Sequence, residues 1–139
     1  MSENISVVDY FYVEVADKPG EGARMLDHLR GAGVNLLVFS GFPRGRRAQI
    51  DVVPDDTRKF HVAVRKAKLA FNPKKTGFLI QGDDRPGALA DHLRRLAEKG
   101  VNVTAVDGLS AGKGRWGAIL WVKLKDIARA GRLLRAKAK

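Results

Sequence analysis

One turn-and-helix motif occurs twice in the chain. Asp17-Lys18-Pro19-Gly20 opens a helical stretch that closes on Gly33-Val34-Asn35, and Asp84-Arg85-Pro86-Gly87 opens another that closes on Gly100-Val101-Asn102. Asp84 follows Asp17 by the same interval as Asn102 follows Asn35, so the copies align without a gap. Leu26 and Leu29 then fall opposite Leu93 and Leu96, and Gly41 opposite Gly108. Two long copies are too few for a solenoid and read as two small domains, residues 1–72 and 73–139.

The order of elements within a copy follows from periodicity. In the second, Lys75 to Gly82 is a short apolar run and reads as a strand. Asp83 or Asp84 is placed to cap a helix, and Pro86 suits a first turn. Leu89, Leu93, Leu96 and Ala97 recur at helical spacing, and Gly100 is placed to end the helix in a left-handed conformation. Val101 to Val106 alternates as a strand, Gly108 to Gly114 reads as a loop, Gly117 to Val122 as a strand and Lys125 to Arg135 as a helix. The first copy repeats this order: strand Ser6–Ala16, helix Glu21–Ala32 with Met25, Leu26 and Leu29 inward, strands Val34–Phe42 and Arg47–Val53, and a helix started by Pro54-Asp55-Asp56 and running to about Lys68. Leu69-Ala70-Phe71 is a short candidate fourth strand; the second copy lacks one. The expectation is an α+β chain of two βαββαβ ferredoxin-like units, helices on one face of antiparallel sheets. Units this small gain from packing together, most simply edge to edge.

Composition bounds the chemistry. The chain has 139 residues and no cysteine, which excludes disulfides, thiol catalysis and zinc-thiolate sites. The polar start, Met1-Ser2-Glu3-Asn4, does not resemble a signal peptide, and no apolar run reaches a membrane span, so a cytoplasmic protein without membrane contact is expected. The charge of +11 is lopsided: residues 1–72 carry eleven Lys or Arg against nine Asp or Glu, residues 73–139 fifteen against six. A basic half can bind nucleic acid through phosphate contacts, but a solvated helix face explains it as well.

Motifs for catalysis fail on inspection. Gly108-Leu109-Ser110-Ala111-Gly112-Lys113-Gly114 has the wrong spacing for a phosphate-binding loop and precedes a strand, so it reads as a flexible hairpin loop. His28, His61 and His92 stand alone, without a second ligand at metal spacing, and read as surface or boundary residues. No metal, cofactor or catalytic constellation is expected, and the chain reads as a non-enzyme. Phe11, Tyr12, Phe39, Phe42, Trp116 and Trp121 are the candidates for base stacking, but none lies in an RNA-recognition signature.

The repeated corner remains. The free N–H groups at the helix start are expected to point into the same space as the start of the second strand, where they can hold a carboxylate, a nearby Asp an ammonium, and Asn offers a donor and an acceptor together. Capping and turn formation explain the same residues without a ligand. On Asp17-Lys18-Pro19-Gly20 through Asn35, and Asp84-Arg85-Pro86-Gly87 through Asn102, the sequence resembles the ACT domain family in a two-domain, stand-alone form. Gly22 departs from the helix opening, standing where the second copy has Leu89. The resemblance implies a ferredoxin-like fold and regulatory binding of a small amino acid at domain interfaces. It implies ligand contacts from Asp17, Val15 and Asn35 and from Asp84, Gly82 and Asn102, although Val15 and Gly82 replace a polar residue.

The expectation is therefore a non-catalytic regulator that binds a small amino acid through Asp17, Gly20, Asn35, Asp84, Arg85, Gly87 and Asn102. It would act as a homodimer on a metabolic enzyme. The alternative is an interaction module for protein or nucleic acid built on the basic C-terminal half.

Overall fold

The computed structural model describes residues 3–139. Seven strands and four α-helices follow one another as β1 (Asn4–Ala16), α1 (Glu21–Gly31), β2 (Leu36–Arg44), β3 (Arg47–Pro54), α2 (Thr57–Lys66), β4 (Lys75–Asp83), α3 (Ala90–Glu98), β5 (Val103–Gly112), β6 (Arg115–Val122), α4 (Ile127–Leu134) and β7 (Lys137–Ala138). A single 3-10 turn, Leu124–Asp126, leads into α4. The chain forms two compact units, Asp9–Lys75 on the one hand and the segment up to Val8 with Thr76–Lys139 on the other. This division differs from a simple cut at residue 72, because the first half of β1 goes with the C-terminal residues. Both units are ferredoxin-like.

In the unit of Asp9–Lys75, β3 lies between β2 and β1, antiparallel to both. Strand alternation sends Phe11, Val13, Ile50 and Val52 to one face, where Met25 and Leu29 of α1 and Phe60, Ala63 and Val64 of α2 cover them. Phe60 is fully buried, its ring centroid 4.6 Å from that of Phe11 and 5.1 Å from that of Phe71. Truncating such a residue to alanine costs about 3–5 kcal/mol. Leu26, expected inward, is exposed: it lies beside the stripe of Met25 and Leu29 rather than on it. Helix α2 is capped by Asp56, whose Oδ1 accepts from the backbone N–H groups of Arg58 and Lys59 at 3.0 and 3.2 Å. Leu69 to Phe71 is not a strand, yet the following Asn72 donates both its backbone N–H and its Nδ2 to Tyr12 O, at 2.9 and 3.0 Å.

In the other unit the order is β1, β4, β6, β5, with β7 on the far side of β1 and parallel to it, Ser6 opposite Lys137 and Val7 opposite Ala138. The N-terminal half of β1 therefore stands where a fourth strand would be. Ile5 enters the core with Phe78, Ile80, Leu96, Trp116, Leu120, Ala130 and Leu134. Strand β5 runs on to Gly112, through residues expected to be a loop, because ladder bonds to β6 outweigh the low strand propensity of its glycines. Lys113 and Gly114, at φ 56° and 72°, make the tight turn between β5 and β6.

Candidate functional site

The two Gly-Val-Asn segments are helix ends of one kind. Gly33 and Gly100 both have φ 73°. Val34 N–H donates to Leu29 O and Gly33 N–H to Arg30 O, while Val101 N–H donates to Leu96 O and Gly100 N–H to Ala97 O, at 2.9 and 3.0 Å in each case. This is the Schellman arrangement, with the valine packed into the core beside the leucine that accepts its bond. It leaves Asn35 and Asn102 exposed just ahead of β2 and β5. Asn35 O accepts from Asp55 N–H at 2.9 Å. Asn35 borders an open cavity of about 420 Å³ formed mainly by the end of α1, with Leu26, Asp27 and Arg30.

The Asp-x-Pro-Gly turns lie at the opposite helix ends. Gly20, at φ 92°, precedes α1, and no side chain caps that helix. Asp17 is exposed and bonds no N–H of α1. In the second copy α3 begins only at Ala90, and again no side chain caps it. The helix cap expected from Asp83 or Asp84 is not made, because the turn Pro86–Leu89 separates them from the helix. Asp83 instead accepts from Arg115 Nη1 at 2.8 Å, and the Asp84 backbone N–H donates to Gly114 O at 2.8 Å. Gly87 takes φ 71° and accepts from Ala90 N–H at 2.9 Å. The Arg85 guanidinium reaches Asp91 at 3.9 Å, and Arg94 reaches the same carboxylate at 2.7 Å. The hydrogen bond and then the charge of Arg94 hold the Asp91 carboxyl below its ordinary value; desolvation opposes them, and the charge of Arg85 is a lesser aid.

The seven candidate residues thus form two groups per unit. Asp17 and Gly20 lie at the start of α1 and Asn35 beyond its end; Asp84, Arg85 and Gly87 lie before α3 and Asn102 beyond its end. Eleven residues of α1 rise about 16 Å and nine of α3 about 14 Å. Within one unit, the aspartate and the asparagine do not meet.

A cluster outside the repeated motif joins the first residues to α3. His92 is 4 % exposed, not a surface residue, because it stands on the inward stripe between Leu89 and Leu96. Its Nε2 lies 2.8 Å from Glu3 Oε1. Glu3 fits there because Gly82 has no side chain: a Cβ at Gly82 would lie 2.7 Å from Glu3 Cγ and 3.1 Å from Trp116 Nε1. Helical spacing carries the signal for His92; nothing local marks Glu3. His28 and His61 are exposed, as expected. Phe11, Trp116 and Trp121 are buried, which removes them as stacking platforms for nucleic-acid bases. Among the described residues no group of three or more His, Asp or Glu side chains could hold a metal ion, and no helix is long and apolar enough to cross a membrane.

Residues 78–139 match the family model described as ACT domain. Comparison with curated proteins gives no match. Among solved structures, a protein from Bacteroides thetaiotaomicron superposes with TM-score 0.80 at 18% identity, over 95% of this chain and 89% of that one. The regulatory subunit of aspartate kinase from Thermus thermophilus, in a ligand-free form, gives TM-score 0.66 at 14% identity, over 97% and 96%. Aspartokinase alpha and beta subunits give 0.57 at 17%, over 95% of each chain. At these identities the likenesses speak for the fold.

Proposed function

From the match of residues 78–139 to the ACT domain model, we propose that the protein is a non-catalytic regulator which binds a small amino acid at its Asp-x-Pro-Gly corners. The observation that carries the reading is that the residues at the starts of α1 and α3, Gly20 and Leu89, offer no polar side chain to the first-turn N–H groups, behind an exposed turn with a positive-φ glycine. Uncapped helix N–H groups suit a carboxylate, and Asp17 or Asp84 suits an ammonium. Asn35 and Asn102 stand too far along their own helices to complete the corner in the same unit. The proposal therefore includes a homodimer, in which the asparagine side of one copy meets the turn side of another. A ligand held across such a contact shifts the equilibrium of the pair by its differential affinity, and a bound metabolic enzyme could read that shift.

Calorimetric titration of the full chain with the twenty amino acids tests this reading. The expected result is saturable heat with a small subset of them and a ligand-dependent change in sedimentation. No heat and no thermal shift with any amino acid sinks it.

A further inference from the structure

The repeat extends beyond the Asp-x-Pro-Gly and Gly-Val-Asn motifs into the second helix of each unit. Lys125, Arg132 and Arg135 follow Arg58, Arg65 and Lys68 by the interval that separates Asp84 from Asp17. Arg58 and Arg65 belong to α2 and Arg132 to α4; Lys125 lies in the turn that leads into α4, and Lys68 and Arg135 lie just beyond the two helices. All six are exposed. None of them makes an ion pair among the described residues, and their one side-chain hydrogen bond there runs from Arg65 Nε to His61 O at 3.4 Å.

The two helices also end alike. Lys68 N–H donates to Arg65 O at 3.2 Å and Leu69 N–H to Val64 O at 3.0 Å; Arg135 N–H donates to Arg132 O and Ala136 N–H to Gly131 O at the same two distances. Lys68 and Arg135 both hold φ 54°. The first helices of the two units fill this place with Gly33 and Gly100, which take a positive φ without strain. The second helices fill it with a cation in both units, at a conformational cost.

The bland account of these cations is the helix dipole, which favours positive charge in a last turn. Arg65, Lys66 and Arg132 already supply that charge. The same dipole disfavours Arg58 and Lys59 in the first turn of α2, which holds no acid. Arg58, Lys68 and Arg135 are thus left over from capping and from the dipole. From Arg58 to Arg65 the helix rises about 10 Å. A nucleic-acid duplex carries about six phosphates over that length. Phe60 is the one Phe, Tyr or Trp of α2 and is fully buried, and α4 has none, so neither helix offers a platform for single-stranded bases. Val62 and Leu124 are exposed singly, not as the apolar centre of a protein interface.

We propose that α2 and α4 bind the phosphate backbone of double-stranded nucleic acid without regard to its sequence. Arg58, Arg65 and Lys68 make the contacts in one unit, and Lys125, Arg132 and Arg135 in the other. The surface is separate from the amino-acid corners.

The test is fluorescence anisotropy of a short DNA duplex titrated with the full chain over a range of salt concentrations. Binding should weaken steeply as salt rises and should be equal for two unrelated sequences. The double variant Lys68→Gly/Arg135→Gly should bind roughly tenfold more weakly, with a salt slope lower by about 2. Its melting temperature should hold or rise, because glycine suits the left-handed positions. Arg46→Gln/Lys113→Gln removes the same charge at exposed hairpin turns and should keep the parent affinity. Equal losses in the two double variants assign the binding to net charge and overturn the proposal. Parent affinity in Lys68→Gly/Arg135→Gly overturns it too, as does the absence of binding at low salt. Tighter binding to phosphatidylserine vesicles or to polyglutamate than to the duplex places the partner at a lipid or an acidic protein and likewise overturns it.

Discussion

Glu3, just ahead of β1, reaches across to His92 in α3, with Oε1 and Nε2 2.8 Å apart. The imidazole is almost fully buried and the carboxylate mostly so, its side chain 27% accessible. The pair fastens one end of the chain to a helix far along the sequence.

Removing Glu3 leaves both ring nitrogens of His92 without a partner, since Nδ1 already lacks one. A buried group stranded in this way costs about 1–3 kcal/mol. Glu3→Ala should lower the unfolding free energy measured in urea by that amount and speed amide exchange at Ile5 and Val7 more than at Val52. A change within about 0.5 kcal/mol, the range of ordinary surface substitutions, would show that the pair does not hold the strand.

Gly82→Ala tests the same contact from the sheet side. Its Cβ would meet Glu3 Cγ at 2.7 Å, so the Glu3 side chain must shift from His92. The expected loss is about 1–3 kcal/mol, and it should shrink markedly when Glu3 is already alanine. Additive losses in the double variant would place the strain elsewhere.

Sequence order and helix ends were legible because they are local. Gly33 and Gly100 end their helices as glycines at C′ do, and Asp56 caps α2 through its own next two residues. The missing fourth strand of the second unit was not legible, because residues before Asp9 supply it and their alternation matches the rest of β1. No local pattern says that Ser6 will lie opposite Lys137. The start of α3 was misread for a related reason. Pro86 and Gly87 suit a first helical turn and an isolated turn alike, and the chain makes the latter, so Asp83 pairs with Arg115 instead of capping.

Alkaline stability should depend on Tyr10. Burial first, then the charge of Asp51 and of Tyr12, raises its hydroxyl above the ordinary value of 10.0. The unfolded chain then loses this proton at lower pH than the folded one. The contribution to stability is complete below pH 10 and is lost as pH rises through the raised value. Urea unfolding at about pH 9 and about pH 11 should show a loss that is smaller in Tyr10→Phe. An equal loss in both proteins assigns the effect to other groups.

Asn102→Ala addresses the proposed corner. The side chain is exposed and lies outside the apolar stripe, so the melting temperature should hold. Two lost hydrogen bonds at about 0.5–1.5 kcal/mol each predict roughly tenfold weaker amino-acid binding or somewhat more. Asn35→Ala should do less, since Arg85 offers a planar fork for a carboxylate where the first copy has Lys18. Wild-type affinity in Asn102→Ala would leave the motif as a turn and a helix end; unfolding would make the asparagine structural.

Nesting one unit inside the sequence of the other has a consequence during synthesis. Residues 9–75 emerge from the ribosome as a continuous block and can fold while the rest of the chain is being made. The enclosing unit cannot close until Lys137 and Ala138 have been made, because they pair with Ser6 and Val7. The segment up to Val8 waits meanwhile with unpaired edges, and its closure spans the whole of the enclosed unit, a contact of high sequence separation. The pairing that closes this unit therefore forms only after the enclosed unit has been made.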